Sequence, residues 1–230
     1  MLAQFDFDVI ARSWVYLLRD GLTFTLTLTA LATLGGMVLG TLLAVARLSR
    51  LPVLPLLAGG YVNLMRSLPL VLVIFWFYFL VPFLGQWLTG SERPIQVGGF
   101  TSALVTFTLF EAAYFAEIMR AGIQSIPRGQ VFAAQALGLR SSRVLRYVVL
   151  PQAFRNMLPV TLTQTIVLFQ DTSLVYVLSL TDLLGAASKV AHRDGRLVEM
   201  YLFAALVYFI ISFAASRGVR VLQRRMAIAD

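Results

Sequence analysis

Gly21 to Ala46 carries no ionisable side chain, and that property limits this chain more than any other. The run exceeds the roughly 20 residues that a membrane helix needs, and in lipid every backbone N–H and C=O has to be satisfied within the segment. Thr23, Thr25, Thr27 and Thr29 alternate as strand residues do, but the length of the uncharged run favours a helix. Gly35, Gly36 and Gly40 within it allow a second helix to approach closely. Of the 230 residues, 59% are hydrophobic and only 13% charged, which lies outside the usage of soluble domains. The chain reads as an all-α polytopic membrane protein.

The remaining segments follow from the same pattern. Residues 1–20 mix apolar side chains (Phe5, Val9, Ile10, Trp14, Leu17) with charges, and predict an amphipathic helix at the external membrane surface. Asp6 and Asp8 stand where a cleaved signal would carry basic residues. After Arg47, Arg50, Pro52 and Pro55, a second apolar region is broken by Arg66 and Pro69, so its spanning part is expected from Pro69 to about Leu84. Gly85 to Gly99 reads as a loop, with Trp87 as an interfacial aromatic. Further crossings are expected over about 95–119, 157–180 and 200–216, with a charged loop at 182–199. The tally is five transmembrane helices in one unit over 21–217, followed by a basic tail at 218–230.

Placing the first loop, the segment at about 120–155 and the tail on one side puts thirteen of the 19 lysines and arginines there, against six on the other. The positive-inside rule then makes the N-terminus external and the C-terminus cytoplasmic. The net charge of +8 is thereby accounted for by orientation, and no nucleic-acid partner is implied. The chain has no cysteine, and its single histidine cannot form a metal cluster alone. The nucleotide-binding pattern G-x-x-x-x-G-K-[ST] is absent, so ATP hydrolysis is not expected of this chain. Glu111 and Glu117, six residues apart, point about 120° away from each other on a helix, which is poor geometry for paired acid and base.

The cytoplasmic segment 120–155 is rich in arginine yet helical in pattern. Gly129 to Leu137 predicts a short helix after Pro127, ended by Gly138, and Ser141 to Leu150 a second, amphipathic helix before Pro151. Arg140, Arg143 and Arg146 share one side of it, leaving Val144, Leu145, Val148 and Val149 for the membrane or protein. An orientation signal explains the arginines but leaves the small, Ala-rich first helix without a purpose.

These residues carry a resemblance. GQVFAAQALG at 129–138, followed by VVLPQAFR at 148–155, resembles the EAA loop of ABC importer permeases of the polar amino acid uptake family. The similarity extends through AYFAEIMRAGIQSIPRGQ, RSLPL at 66–70 and QDTSLVYVLSLTDLL at 170–184. The tract from Thr163 to Ser188, with 193–212, is most similar to permeases of glutamate/aspartate importers. The resemblance implies a bacterial inner-membrane permease for a polar amino acid, with glutamate or aspartate foremost and glutamine or histidine as alternatives. It also implies an ATPase dimer that binds ATP and Mg²⁺, a second and different permease, and a periplasmic substrate-binding protein; no cofactor is expected on this chain itself. The coupling residues it points to are Gly129, Gln130, Phe132, Ala133, Ala134, Ala136, Leu137, Gly138 and Arg140. Phe132 departs from the family motif, occupying the place of its glutamate.

Asp171, deep in the fourth segment, is a functional candidate because an ionisable group is costly there; it could equally cap a broken helix. Gln164, Gln170, Thr172 and Ser173 offer donors for a carboxylate. Arg66 could meet an anionic substrate, or could set orientation and packing at its helix start. Glu111, Glu117 and Arg120 are expected to form one ion-pair set, and His192, Arg193 and Arg196 a solvated external face. An ion-coupled secondary transporter or channel is the competing class, with Asp171 as its coupling group.

Overall fold

The computed structural model describes residues 5–226, and among these every regular element is helical. In chain order they are α1 (Phe7–Arg47), α2 (Val53–Ser67), α3 (Leu70–Thr89), α4 (Gly99–Gln124), α5 (Arg128–Ala136), α6 (Ser141–Leu178), α7 (Leu183–Asp194) and α8 (Leu197–Met226). Helices α1, α3, α4 and α8 are long and apolar enough to cross a membrane; α6 and α7, bent by 44° at their junction, supply a fifth span when taken together.

No separate amphipathic helix precedes the first span. One helix runs through the boundary expected at residue 20, with a π-turn at Leu17–Leu22 absorbing the change of register. Part of its apolar face meets protein: Val9 and Leu17 are buried against Leu183, Ala186, Ala187, Val190, Met200 and Ala204, while Phe7, Trp14 and Val15 stay exposed. Residues 1–4 of the predicted segment lie outside the described residues.

The charged loop expected at 182–199 is largely helix α7. Asp182 caps its start, accepting from the backbone N–H groups of Leu184 and Gly185 at 3.0 Å each. Leu183, Ala186, Ala187, Val190 and Ala191 bury one side of it, while the charges that suggested a loop occupy the other. Likewise the expected basic tail continues α8 to Met226, with Arg224 and Arg225 in the last turn, where cations suit the helix dipole; residues 227–230 are not described.

The helix expected to stop before Pro151 runs on through Pro151 and Pro159. Proline removes a donor and crowds the preceding turn, and the π-turn at Leu145–Val149 accommodates that just ahead of Pro151. By contrast Pro69 does end the helical path: Leu68 and Pro69 are extended, separating α2 from α3. Helix α3 then continues to Thr89, past the loop start expected at Gly85, and ends at Gly90 with φ +65°.

The centre of the fold is the α1–α4 pair. Gly36 and Gly40 lie against Phe115, with Ala112 and Ala116 also facing Gly40, so the backbones meet closely. Around them Leu28, Ala32, Val73, Ile74, Phe107, Leu168 and Val175 form the main core. Tyr61 ties α2 to this pair by donating from Oη to the Leu109 carbonyl at 2.7 Å.

Candidate functional site

Helix α5 begins at Arg128, immediately after the extended Pro127, and its end is a complete Schellman motif. The Leu139 N–H bonds the Ala134 carbonyl at 3.2 Å, the Gly138 N–H bonds that of Gln135 at 2.9 Å, and Gly138 adopts φ +83°. A residue with a Cβ is disfavoured at that angle, which explains the glycine. The turn returns the chain onto a small local core, where Ala134 packs with Ile126, Val144, Val149, Ala153 and Met157. Polar clasps reinforce it. Gln152 Nε2 donates to Gln130 Oε1 at 2.7 Å and to the Val148 carbonyl at 2.8 Å, and Asn156 Nδ2 donates to Ser125 Oγ at 2.9 Å.

Of the nine coupling residues expected from the sequence, eight are exposed: Gly129, Gln130, Phe132, Ala133, Ala136, Leu137, Gly138 and Arg140. Ala134 is buried and serves the loop's own packing. Phe132 is 62% and Leu137 85% exposed, giving a protruding helix with an uncovered apolar surface. On the next helix Arg140, Arg143 and Arg146 do share the exposed side, but of the apolar set only Val144 and Val149 are buried, and Leu145 faces outward.

Glu117 anchors the membrane-side base of this loop. Its carboxylate pairs with Arg47 at the end of α1 and with Arg120 one turn along α4, and Arg120 also bonds Gln124. Beside it a groove of about 430 Å³ runs between α4 and α6, lined by Glu117, Gly122, Ser125, Asn156, Met157 and Val160. Glu111 does not belong to this ion-pair set, contrary to expectation. It is fully buried two turns away and accepts from Gln164 Nε2 at 3.1 and 3.3 Å, across the α4–α6 seam.

The six residues expected along a translocation path separate into groups. Arg66 is exposed and lies over the Tyr114 ring, 5.6 Å from its centroid, and Tyr114 is within electrostatic reach of Arg66, Glu111 and Asp171. Gln164 joins that cluster through Glu111. Asp171 is half-buried and makes no capping hydrogen bond, so the cap reading fails; the cap is Asp182. Thr172 is buried, donates to the Phe169 carbonyl at 2.7 Å and bonds Tyr208, in a network that also holds Thr25 and Asp182. Gln170 is exposed and Ser173 half-buried. Tyr114 is the member of this cluster that the sequence reading did not single out, and Glu111 was grouped with Glu117 and Arg120 although the rule that singles out Asp171, an ionisable group inside a membrane helix, applies equally to it.

The cations around α7 are mostly engaged: Arg193 pairs with Asp194 at 2.7 Å, and Arg196 with Asp6 and Glu199 at 3.6 and 3.4 Å. Among the described residues no group of three or more His, Asp or Glu is arranged to hold a metal ion.

A family model described as "Binding-protein-dependent transport system inner membrane component" matches residues 36–228. The glutamate/aspartate import permease protein GltK of Escherichia coli O6:H1 is 52% identical over 224 residues, covering 97% of this chain and 99% of that protein. The glutamine transport system permease protein GlnP of Escherichia coli strain K12 is 33% identical, covering 98% of this chain and 99% of its own. The chain also superposes with a TM-score of 0.87 on a crystal structure of an amino acid ABC transporter with histidines, at 30% identity and over 96% of this chain and 98% of that one. With a family match over most of its length, relatives of this similarity and a helical plan shared with a solved transporter, this chain belongs to the inner membrane components of binding-protein-dependent transport systems.

Proposed function

We propose that this chain is the permease subunit of an ATP-driven importer of acidic amino acids, with glutamate and aspartate as substrates. The observation that carries the substrate is the 52% identity with GltK along nearly the whole of both chains, against 33% with a glutamine permease of the same length class. In this reading the exposed Phe132 and Leu137 surface docks into a separate ATPase dimer, which binds ATP and Mg²⁺. Closure of that dimer pushes on α5, and the local core around Ala134 passes the displacement to α4 and α6.

The same reading makes the α5 side cytoplasmic and the N-terminus periplasmic, and treats 21–217 as one permease unit. A second, different permease completes the translocation path, and an external binding protein delivers substrate to the α7 side. Arg66, Gln164, Gln170, Asp171, Thr172 and Ser173 are assigned to the path, with Tyr114 holding Arg66 in place. Phe132, in the position of the family's motif glutamate, makes docking rest on apolar contact where a salt bridge would otherwise contribute.

The test is transport in proteoliposomes containing the reconstituted complex, with glutamate, aspartate, glutamine, histidine and arginine in competition. Preferential, ATP-dependent uptake of the two acidic amino acids is expected. Preference for a cationic amino acid would overturn the substrate, and uptake without ATP or the ATPase would overturn the coupling.

A further inference from the structure

The outward face of α8 joins two chemistries on one line. Leu202, Leu206, Phe209, Phe213, Arg217, Arg220 and Arg224 recur at intervals of three or four residues, so they form one stripe along the helix. All seven are exposed, while Val219, on the opposite side of the helix, is buried in the protein. The upper part of the stripe is apolar and lies on a membrane-length helix, so acyl chains are what cover it. The lower part is wholly cationic.

The junction between the two is built. Phe209 and Phe213 stack with centroids 5.5 Å apart, and the Arg217 guanidinium lies 5.6 Å from the Phe213 centroid. Below it Arg217, Arg220, Val221 and Arg224 enclose a recess of about 300 Å³. Among the described residues no carboxylate pairs with any of these three arginines. A guanidinium fork matches a phosphate bidentately, and three of them converge at the depth where an acyl chain lying on Phe209 and Phe213 would present its headgroup. An orientation signal needs positive charge near this end of the helix but has no use for alignment: Arg225 carries the same charge and points elsewhere.

We propose that this stripe is a binding site for one anionic glycerophospholipid, its phosphate held by Arg217, Arg220 and Arg224 and its acyl chain by the Phe209–Phe213 ladder. The site lies on the same side of the membrane as α5, because α8 starts beside α7 and the outer end of α1 and ends at the opposite surface.

The assembled transporter, purified in detergent, is titrated with phosphatidylglycerol or with phosphatidylcholine of identical acyl chains, and bound lipid is counted by native mass spectrometry. The unaltered protein is expected to retain phosphatidylglycerol at least about tenfold more tightly, and equal retention overturns the proposal whatever the variants do. R217Q/R220Q/R224Q is expected to weaken retention on the order of 100-fold, and R220Q alone about fivefold, which serves if the triple variant does not assemble. R225Q is the control: a loss as large as that of R220Q means diffuse charge, not a site, and overturns the proposal. F209A/F213A is expected to weaken the lipid without altering its salt dependence. Full displacement of the lipid by millimolar inorganic phosphate points to a free-anion site and overturns the lipid assignment.

Discussion

A Cβ built on Gly40 would stand 2.7 Å from the Cβ of Phe115, with the Ala116 nitrogen and Ala112 carbonyl oxygen at 2.9 and 3.0 Å. Two of those three neighbours are backbone and cannot swing aside, so α1 and α4 hold their present separation only with glycine there. Gly40→Val is expected to lower stability by about 1–3 kcal/mol through overpacking. Thermal unfolding in detergent measures it, with Gly60→Ala as control: Gly60 lies inside α2 with no atom near a Cβ, so that change should not destabilise. A Gly40→Val protein as stable as the unaltered one would sink the close-packing account.

Gly138 meets nothing within 4 Å, so a substitution there strains only the backbone. Gly138→Ala is expected to cost about 1 kcal/mol at φ +83°, confined to the loop. Hydrogen exchange should show the amides of α5 opening about fivefold faster, with the α1–α4 core unaffected.

Glu117 serves two arginines, and its side chain is 24% exposed. Glu117→Ala leaves both cations facing each other; with partial solvent screening the expected loss is about 1–2 kcal/mol. A double-mutant cycle between Glu117→Ala and Arg47→Ala should give a coupling energy that shrinks in high salt. Additive losses would remove the link between the end of α1 and α4.

Glu111 takes both of its hydrogen bonds from one amide. Gln164→Leu is expected to cost about 1–3 kcal/mol by leaving a buried acceptor group without a partner. Adding Glu111→Leu should recover much of that loss, since removing both polar partners is nearly neutral when shape is kept. A double variant less stable than Gln164→Leu alone contradicts this. Transport assays on the same proteins separate packing from a role in the path.

The parts of this structure that were legible in the sequence are those fixed by local chemistry. Gly36 and Gly40 announced a close helix contact, Pro69 a break, and Gly138 the end of α5, because each acts through its own backbone or missing Cβ. Pro151 misled because a π-turn upstream removes the conflict that a proline ordinarily causes. Helix α7 was hidden by its charges, although Leu183, Ala186, Ala187 and Val190 keep helical spacing beneath them. The N-terminal segment showed its apolar face but not what that face meets, since its partners lie far along the chain, as Asp6 to Glu199 at a separation of 193 illustrates. In the candidate site the protruding helix α5 was readable, but not the burial of Ala134, which depends on the return of α6. The Arg66–Tyr114 and Glu111–Gln164 contacts were not readable, because they form only once α2, α4 and α6 are packed.

Helix α1 is one unbroken element of 41 residues, and at 1.5 Å per residue it is a rod about 60 Å long, roughly twice the hydrocarbon depth of a bilayer. One end is wedged against α7 and α8, where the binding-protein side is proposed to be; the other ends at Arg47, clasped by Glu117 of α4 on the proposed ATPase side. A member of that length magnifies angle into distance: a tilt of about 10° about one end displaces the other by about 10 Å. In the proposed importer, α1 is thereby a single rigid connection between the α7–α8 end of the molecule and the Glu117 clasp beside α5, so that a tilt of the rod carries displacement from one to the other.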